Sequence, residues 1–153
     1  MNDMNNLLIP ETKFIADFEP FIRFYAYHVK KKKITIPLID INKHGINLEA
    51  KKQRKDIAII DLNALQPNAI YFSSSKKKNN VKNLMWYIRC LAHHPENIEF
   101  VVLNGVEHYK LWCTYKDSKS KSTIYTMKGL VACDVWSIFI NELIAKITQN
   151  ETN

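Results

Sequence analysis

Two acidic residues and one lysine in the first third of the chain have the types and spacing of a metal site. Asp40 ends a stretch of alternating residues, and Glu49 and Lys51 lie in a second such stretch. The segment between them, Asn-Lys-His-Gly at 42–45, has turn composition, so the sequence predicts a β-hairpin over 34–51. On paired strands the two carboxylates would converge on one hard divalent cation, for which oxygen ligands are preferred.

This pattern, an Asp followed by Glu49-Ala50-Lys51, resembles the PD-(D/E)xK nuclease signature. It differs in that Ile39, not proline, precedes Asp40. The resemblance implies a Mg²⁺-dependent nuclease in which Asp40 and Glu49 bind the metal and Lys51 helps to position the attacking water. The alternative places Glu49 and Lys51 on the solvated face of the hairpin. We prefer that alternative, which assigns no catalytic residue and no cofactor.

The charge balance indicates a polyanionic partner. The chain has 22 Lys and Arg against 15 Asp and Glu, a formal net charge of +7. Several of the basic residues are clustered, at 30–33, 51–55 and 76–78. Nucleic acid is the partner that such clusters favour. The alternative is compositional bias, because the chain is also rich in Asn and Ile and lysine runs often occupy solvated turns.

A strand near the middle of the chain combines lysines with an aromatic residue. Lys110, Trp112 and Lys116 share one face of this alternating strand, and Lys128 on the next strand is expected beside them. Lysines contact phosphates, and an exposed aromatic ring offers a stacking surface for an unpaired base. The intervening loop adds Lys119 and Lys121, and the predicted second patch comprises Lys51, Lys52, Arg54 and Lys55. The alternative is that the C-terminal helix covers Trp112 and leaves the lysines at the rim.

Cysteines and histidines supply a further hypothesis. Cys90 and His94 are separated by one helical turn, and His108 and Cys113 follow in the next hairpin. Four such N and S ligands suit structural Zn²⁺, but the spacing differs from CxxC knuckles, and we assign no metal. The odd number of widely spaced cysteines fits reduced thiols better than disulfides.

The elements that must position these residues indicate one α+β domain spanning 1–153. An antiparallel sheet, made of the hairpin and a meander over 98–128, is covered on one face by two helices. The central helix is predicted over 81–94, since apolar residues recur at helical spacing and Pro95 stops it. The C-terminal helix is predicted over 134–148. The termini, 1–11 and 149–153, are expected to be loose, and 12–29 fits either helix or strand.

Composition excludes some classes of function. Only three glycines occur, so neither a Walker loop nor a GxGxxG motif is present. No apolar run approaches the ~20 residues that span a bilayer, so no membrane association is expected. The start lacks signal-peptide features, which predicts a cytoplasmic protein, or a nuclear one in a eukaryotic host.

These observations predict a small basic nucleic-acid-binding protein that uses backbone charge and aromatic stacking. One alternative is a protein-interaction or accessory assembly module without enzymatic activity, and a second is the Mg²⁺-dependent nuclease. The sequence leaves open DNA versus RNA, the identity of a protein partner and the oligomeric state.

Overall fold

The computed structural model describes the backbone of residues 5–7, 13, 16–18, 45–73 and 80–152. Side chains are described for the same residues except 5–7, 80–85 and 146–152. The strands are β1 (Asn5–Leu7), β2 (Asn47–Lys51), β3 (Ala69–Ser73), β4 (Ile98–Leu103), β5 (Val106–Lys116) and β6 (Thr123–Ala132). The helices are α1 (Arg54–Ala58), α2 (Asn80–His93) and α3 (Cys133–Thr152), and the 3₁₀ turns are Leu62–Ala64 and Pro95–Asn97.

The described strands form one mixed sheet in the order β1-β4-β5-β6-β3-β2. All neighbours are antiparallel except β2 and β3, which are parallel. The predicted α+β architecture is confirmed, and the meander is present as β4, β5 and β6. The β2–β3 pair makes the sheet mixed rather than wholly antiparallel.

Parts of three sequence predictions lie outside the described residues. The second strand of the predicted hairpin over 34–51 is present as β2, whereas its first strand is not described. Of the ambiguous stretch 12–29, only 13 and 16–18 are described, and 13, 16 and 17 are helical. Loose ends are predicted at 1–11 and 149–153. Of these residues the structure describes 5–7, which form β1, and 149–152, which belong to α3.

A crossover segment, residues 52–68, connects the parallel strands β2 and β3. Parallel neighbours need such a connection because the chain must return to the same end of the sheet. The apolar residues of the run at 56–62 favour a short strand on local grounds, but the structure places the end of α1 and the start of a 3₁₀ turn there. Ile57 is fully buried whereas Ile59 is 82% exposed, so the run turns only part of its surface inward.

The main core lies on one face of the sheet, here called the helix face. Strand β5 contributes Tyr109, Leu111 and Cys113, which alternate along the strand as a half-buried strand requires. The helices cover them with their apolar stripes: Ile88, Leu91 and Ala92 of α2, and Trp136, Phe139, Ile140 and Leu143 of α3. Burial of each large apolar side chain stabilises the fold by roughly 1.5–3 kcal/mol. The predicted helices over 81–94 and 134–148 are thus confirmed on the predicted face.

The crossover segment covers part of the opposite face, here called the crossover face. The Lys128 ammonium of β6 donates hydrogen bonds to the carbonyl oxygens of Ala58 (3.2 Å) and Ile60 (2.7 Å). The Lys110 ammonium of β5 donates to Asn63 Oδ1 at 2.9 Å. These contacts anchor the crossover segment across the two central strands. Among the described helices, none is long and apolar enough to cross a membrane.

Candidate nucleic-acid interface

The strand pairings bring two separate basic stretches to one end of the sheet. Lys51, at the end of β2, pairs with Ser73, at the end of β3. The antiparallel β6 begins at this same end, where Thr123 pairs with Lys116, the last residue of β5. The start of the crossover segment and the β5–β6 loop therefore leave the sheet side by side. Neither stretch is close to the other in sequence.

A direct contact joins the two stretches. The Arg54 guanidinium, at the start of α1, lies 4.9 Å from the centre of the Tyr115 ring. Its Nη1 also donates a hydrogen bond to the Tyr115 hydroxyl. A planar guanidinium can stack on an aromatic ring and hydrogen-bond at the same time, which a lysine cannot do. Arg54 thus links the predicted second patch to β5.

The β5–β6 loop is held in one conformation by its own polar groups. The Asp117 carboxylate accepts hydrogen bonds from the Ser120 hydroxyl (2.7 Å) and the Ser120 backbone N–H (3.1 Å). These bonds lower the pKa of Asp117 below its ordinary range. Lys121 adopts a left-handed backbone conformation, with φ of 60°, which completes the turn. Lys119 and Lys121 are exposed on this ordered loop.

We call the resulting surface the basic end. It comprises Lys51, Lys52, Arg54, Lys55, Lys116, Lys119 and Lys121. All are exposed except Lys51, which is partly buried. The Lys51 ammonium is bonded to Glu49 Oε1 at 2.7 Å, and this hydrogen bond raises the pKa of Lys51. The contact with Glu49 therefore favours the charged form of Lys51.

Lys110 and Trp112 occupy the crossover face, as the alternation of β5 predicts, and Lys128 of β6 lies beside them. Lys110 and Lys128 are each only 4% exposed, and their ammonium groups are bonded to Asn63 and to the carbonyls of 58 and 60. Trp112 pairs with Lys128 across the strands and is half-buried. The two lysines are thus withdrawn from solvent, and their role in binding a phosphate stays a prediction.

An open cavity of about 390 Å³ lies between the crossover segment and the edge of the sheet. Lys51 and Tyr71 line its sheet side, and the Lys51 ammonium is 5.8 Å from the centre of the Tyr71 ring. The crossover segment contributes the apolar residues Ile59, Ile60, Ala64 and Leu65 and the polar residues Asp56, Asp61 and Gln66. The cavity thus combines an aromatic wall, an apolar wall and two carboxylates.

The nuclease hypothesis is not tested by the described residues. Glu49 and Lys51 lie on the same side of β2 and are paired with each other, as the solvated-strand interpretation expects. Asp40 lies outside the described residues. Catalysis through these three residues therefore stays a prediction.

The hypothetical zinc ligands do not converge. Cys113 belongs to the core on the helix face, where its thiol lies 3.7 Å from the carbonyl oxygen of Tyr87. His108, five residues earlier in the same strand, points to the opposite face, and His94 is exposed beside Glu96. Cys90 lies on α2, on the helix-face side of the sheet. Within the described part of the chain, no cluster of three or more potential ligands could hold a metal ion.

Two features of the site escape the sequence patterns. Tyr115 alternates with core residues, so its sequence position indicates burial, yet it is exposed next to Arg54. The pairing register shifts between Cys113 and Thr114, where Thr126 of β6 is the extra, unpaired residue, and Tyr115 lies beyond this shift near the end of the strand. The cavity depends on the parallel pairing of β2 and β3, for which no local sequence signal exists.

No family model, curated protein or solved structure matches this chain.

Proposed function

We propose that the protein binds nucleic acid through the basic end. The observation that carries this proposal is the contact between Arg54 and Tyr115, because it joins two basic stretches into one surface. A surface of this kind can follow several successive phosphates of one strand. Phosphate contacts supply most of the affinity of such proteins and little of their sequence preference.

The charge and order of the surface support the proposal. Two basic clusters converge there. Of the acidic residues next to these clusters, Glu49 is paired with Lys51 and Asp117 is bonded within its own loop, whereas Asp56 lies in the wall of the cavity. The Asp117 network orders the loop before any ligand arrives, so less conformational entropy is lost when Lys119 and Lys121 bind. Tyr115 and Tyr71 replace Trp112 as the aromatic residues nearest to the phosphates in this proposal.

A pair of matched double variants tests it. Lys119→Gln with Lys121→Gln removes two charges from the basic end. Lys13→Gln with Arg89→Gln removes the same net charge elsewhere. Binding of short labelled single- and double-stranded oligonucleotides is measured by fluorescence anisotropy over a range of salt concentrations. We expect the first double variant to bind roughly tenfold more weakly at moderate salt, and to reduce the slope of log K against log salt by about 1.4–1.8.

The control double variant is expected to retain the wild-type slope and nearly the wild-type affinity. Equal losses in the two double variants would show that net charge alone drives binding and would overturn the assignment to the basic end. Absence of binding by the wild-type protein at low salt would overturn the proposal altogether. Addition of Mg²⁺ to the same samples, followed by gel analysis of the oligonucleotides, tests the nuclease alternative.

A second candidate, a protein-interaction module, is favoured by exposed apolar side chains on the helices. Ile138 of α3 is 62% exposed and Trp86 of α2 is 50% exposed. Large exposed apolar residues are enriched at protein interfaces. Capture of the same partner by wild type and by the Lys119→Gln/Lys121→Gln variant, but not by Ile138→Glu, would support this function. Equal capture by all three would contradict it.

A further inference from the structure

We propose that the cavity beside the basic end receives one unpaired base of a bound single strand, and that it selects bases carrying an exocyclic amino group. This inference rests on the proposed function and names the class of nucleic acid that the site takes. It concerns the cavity between the crossover segment and the edge of the sheet. The phosphate-binding proposal uses Lys51 and Tyr71 of its lining but assigns no ligand to the cavity itself.

The position of the cavity supports the proposal. Lys51 is shared, because it belongs to the basic end and also lines the cavity. Arg54 and Lys55 follow within a few residues on the same connection. A strand whose phosphates contact these side chains passes the mouth of the cavity. Single-stranded nucleic acids are commonly bound in this way, with phosphates on basic side chains and bases turned into protein pockets.

The size and walls of the cavity suit a flat ring. A volume of about 390 Å³ is within the ~300–1,000 Å³ range of small-molecule pockets. Tyr71 offers an aromatic surface on the sheet side, and Ile60 and Leu65 offer apolar surface on the other side. An aromatic side chain can stack on any base, so this contact adds affinity without choosing among bases.

The polar groups of the cavity discriminate among the bases. Asp56 and Asp61 are carboxylates, which only accept hydrogen bonds when ionised. One Asp61 oxygen accepts from the Asn63 N–H at 2.9 Å, which leaves the second oxygen for a ligand. The Asp56 carboxylate receives no hydrogen bond from the described residues. Adenine, cytosine and guanine can donate an amino N–H to these oxygens. Thymine and uracil offer only one imino N–H, which is flanked by two carbonyl oxygens that a carboxylate repels.

The test compares single-stranded oligonucleotides that differ only in their bases. Labelled oligo(dA), oligo(dC) and oligo(dT) of equal length are titrated at one salt concentration. An adenine oligonucleotide in which purine replaces each adenine removes the amino group alone. We expect oligo(dA) and oligo(dC) to bind about tenfold more tightly than oligo(dT), and the purine oligonucleotide to bind like oligo(dT).

Variants assign the preference to the cavity. Asp56→Asn with Asp61→Asn places amide donors and acceptors where there were only acceptors, so the preference for amino bases should disappear. The salt slope should stay at the wild-type value because the basic end is unchanged. Tyr71→Leu should weaken binding of all three oligonucleotides by a similar factor, about tenfold, since stacking does not distinguish them.

The outcomes separate this inference from the proposed function. Equal affinity of the wild-type protein for all bases, with a normal salt slope, would overturn the cavity as a base site and leave the basic end intact. A base preference that survives in the Asp56→Asn/Asp61→Asn variant would also overturn it. If no oligonucleotide binds at low salt, the proposed function fails, and the inference fails with it.

Discussion

The Lys128 ammonium donates a 2.7 Å hydrogen bond to the backbone carbonyl oxygen of Ile60. A second bond, of 3.2 Å, reaches the carbonyl oxygen of Ala58. Burial lowers the pKa of Lys128, and the negative charge of Asp61 opposes that shift. Lys128, which the strand pattern predicts as a phosphate-binding residue, thus anchors the end of α1 to the central strand β6.

Replacement of Lys128 by Met should lower the free energy of unfolding by about 2 kcal/mol, because two part-buried hydrogen bonds from a charged donor are lost. Urea unfolding of the wild type and the variant measures this loss. Lys116→Met, at an exposed position, is the control and should change stability by no more than about 0.5 kcal/mol. A Lys128→Met variant as stable as the wild type would mean that desolvation of the ammonium cancels its hydrogen bonds.

A methyl group at Gly129 should destabilise the sheet. A Cβ at this position would lie 3.0 Å from Ile70 Cγ1, a contact tight enough to force the two strands or the Ile70 side chain to move. We expect Gly129→Ala to cost about 1–3 kcal/mol. Ile70→Ala removes the opposing atom at a cost of its own, so the double variant should cost less than the sum of the two single variants. Strict additivity would show that the clash is absent.

Acid should release the β5–β6 loop only below the ordinary titration range of an aspartate. Because the pKa of Asp117 is lowered in the folded protein, its stabilising effect is complete above the unfolded-state pKa and is lost as the pH falls through the folded-state value. The carboxyl carbon of Asp117 and the amide of Ser120 report this by NMR. Ser120→Ala should raise the Asp117 pKa, whereas Ser118→Ala should change it little. Equal effects of the two variants would contradict the hydroxyl contact.

Thiol reactivity should distinguish the three cysteines, which are all free. Cys113 and Cys133 are buried, and burial raises the pKa of Cys133 to about 12, so little of the reactive thiolate forms at neutral pH. Cys90 is half-buried, and we expect it to react first with a thiol reagent in the native protein. The Cys90→Ala variant should lack this first phase, and all remaining thiols should react in denaturant. A first phase that persists in Cys90→Ala would refute the order.

The sequence predicts the two long helices, the meander strands and the faces of these elements, because they depend on the residue pattern within one segment. The stripe containing Ile88, Leu91 and Ala92 identifies α2 and its buried side, because helix periodicity is a property of one segment. Alternation along β5 likewise places Lys110 and Trp112 on one face. Whether that face is solvated depends on a crossover segment tens of residues away. For this reason the face of Lys110 is predictable and its burial is not.

The structure of the crossover segment is a second feature that the sequence does not predict. Its run of Ile57 to Ile60 is rich in β-branched residues, which favours a strand on local grounds. The parallel β2–β3 pair requires a connection that leaves the sheet, and this tertiary requirement prevails over local propensity. The convergence of Arg54 and Tyr115 follows from the same pairing, so the basic end is visible in the sequence only as two separate clusters.

The β-bulge between Cys113 and Thr114 divides the β5–β6 ribbon into two lengths with different freedom to change. On the side of the bulge away from the β5–β6 loop, Cys113 and Met127 are buried in the core. Insertion of a residue there would turn core side chains to the opposite face of the sheet. Outward of the bulge, the ribbon and its loop can lengthen or shorten by residue pairs without affecting that register. The fold therefore tolerates changes of length in the outer ribbon that it does not tolerate in the inner one, and such changes would alter the basic end without altering the core.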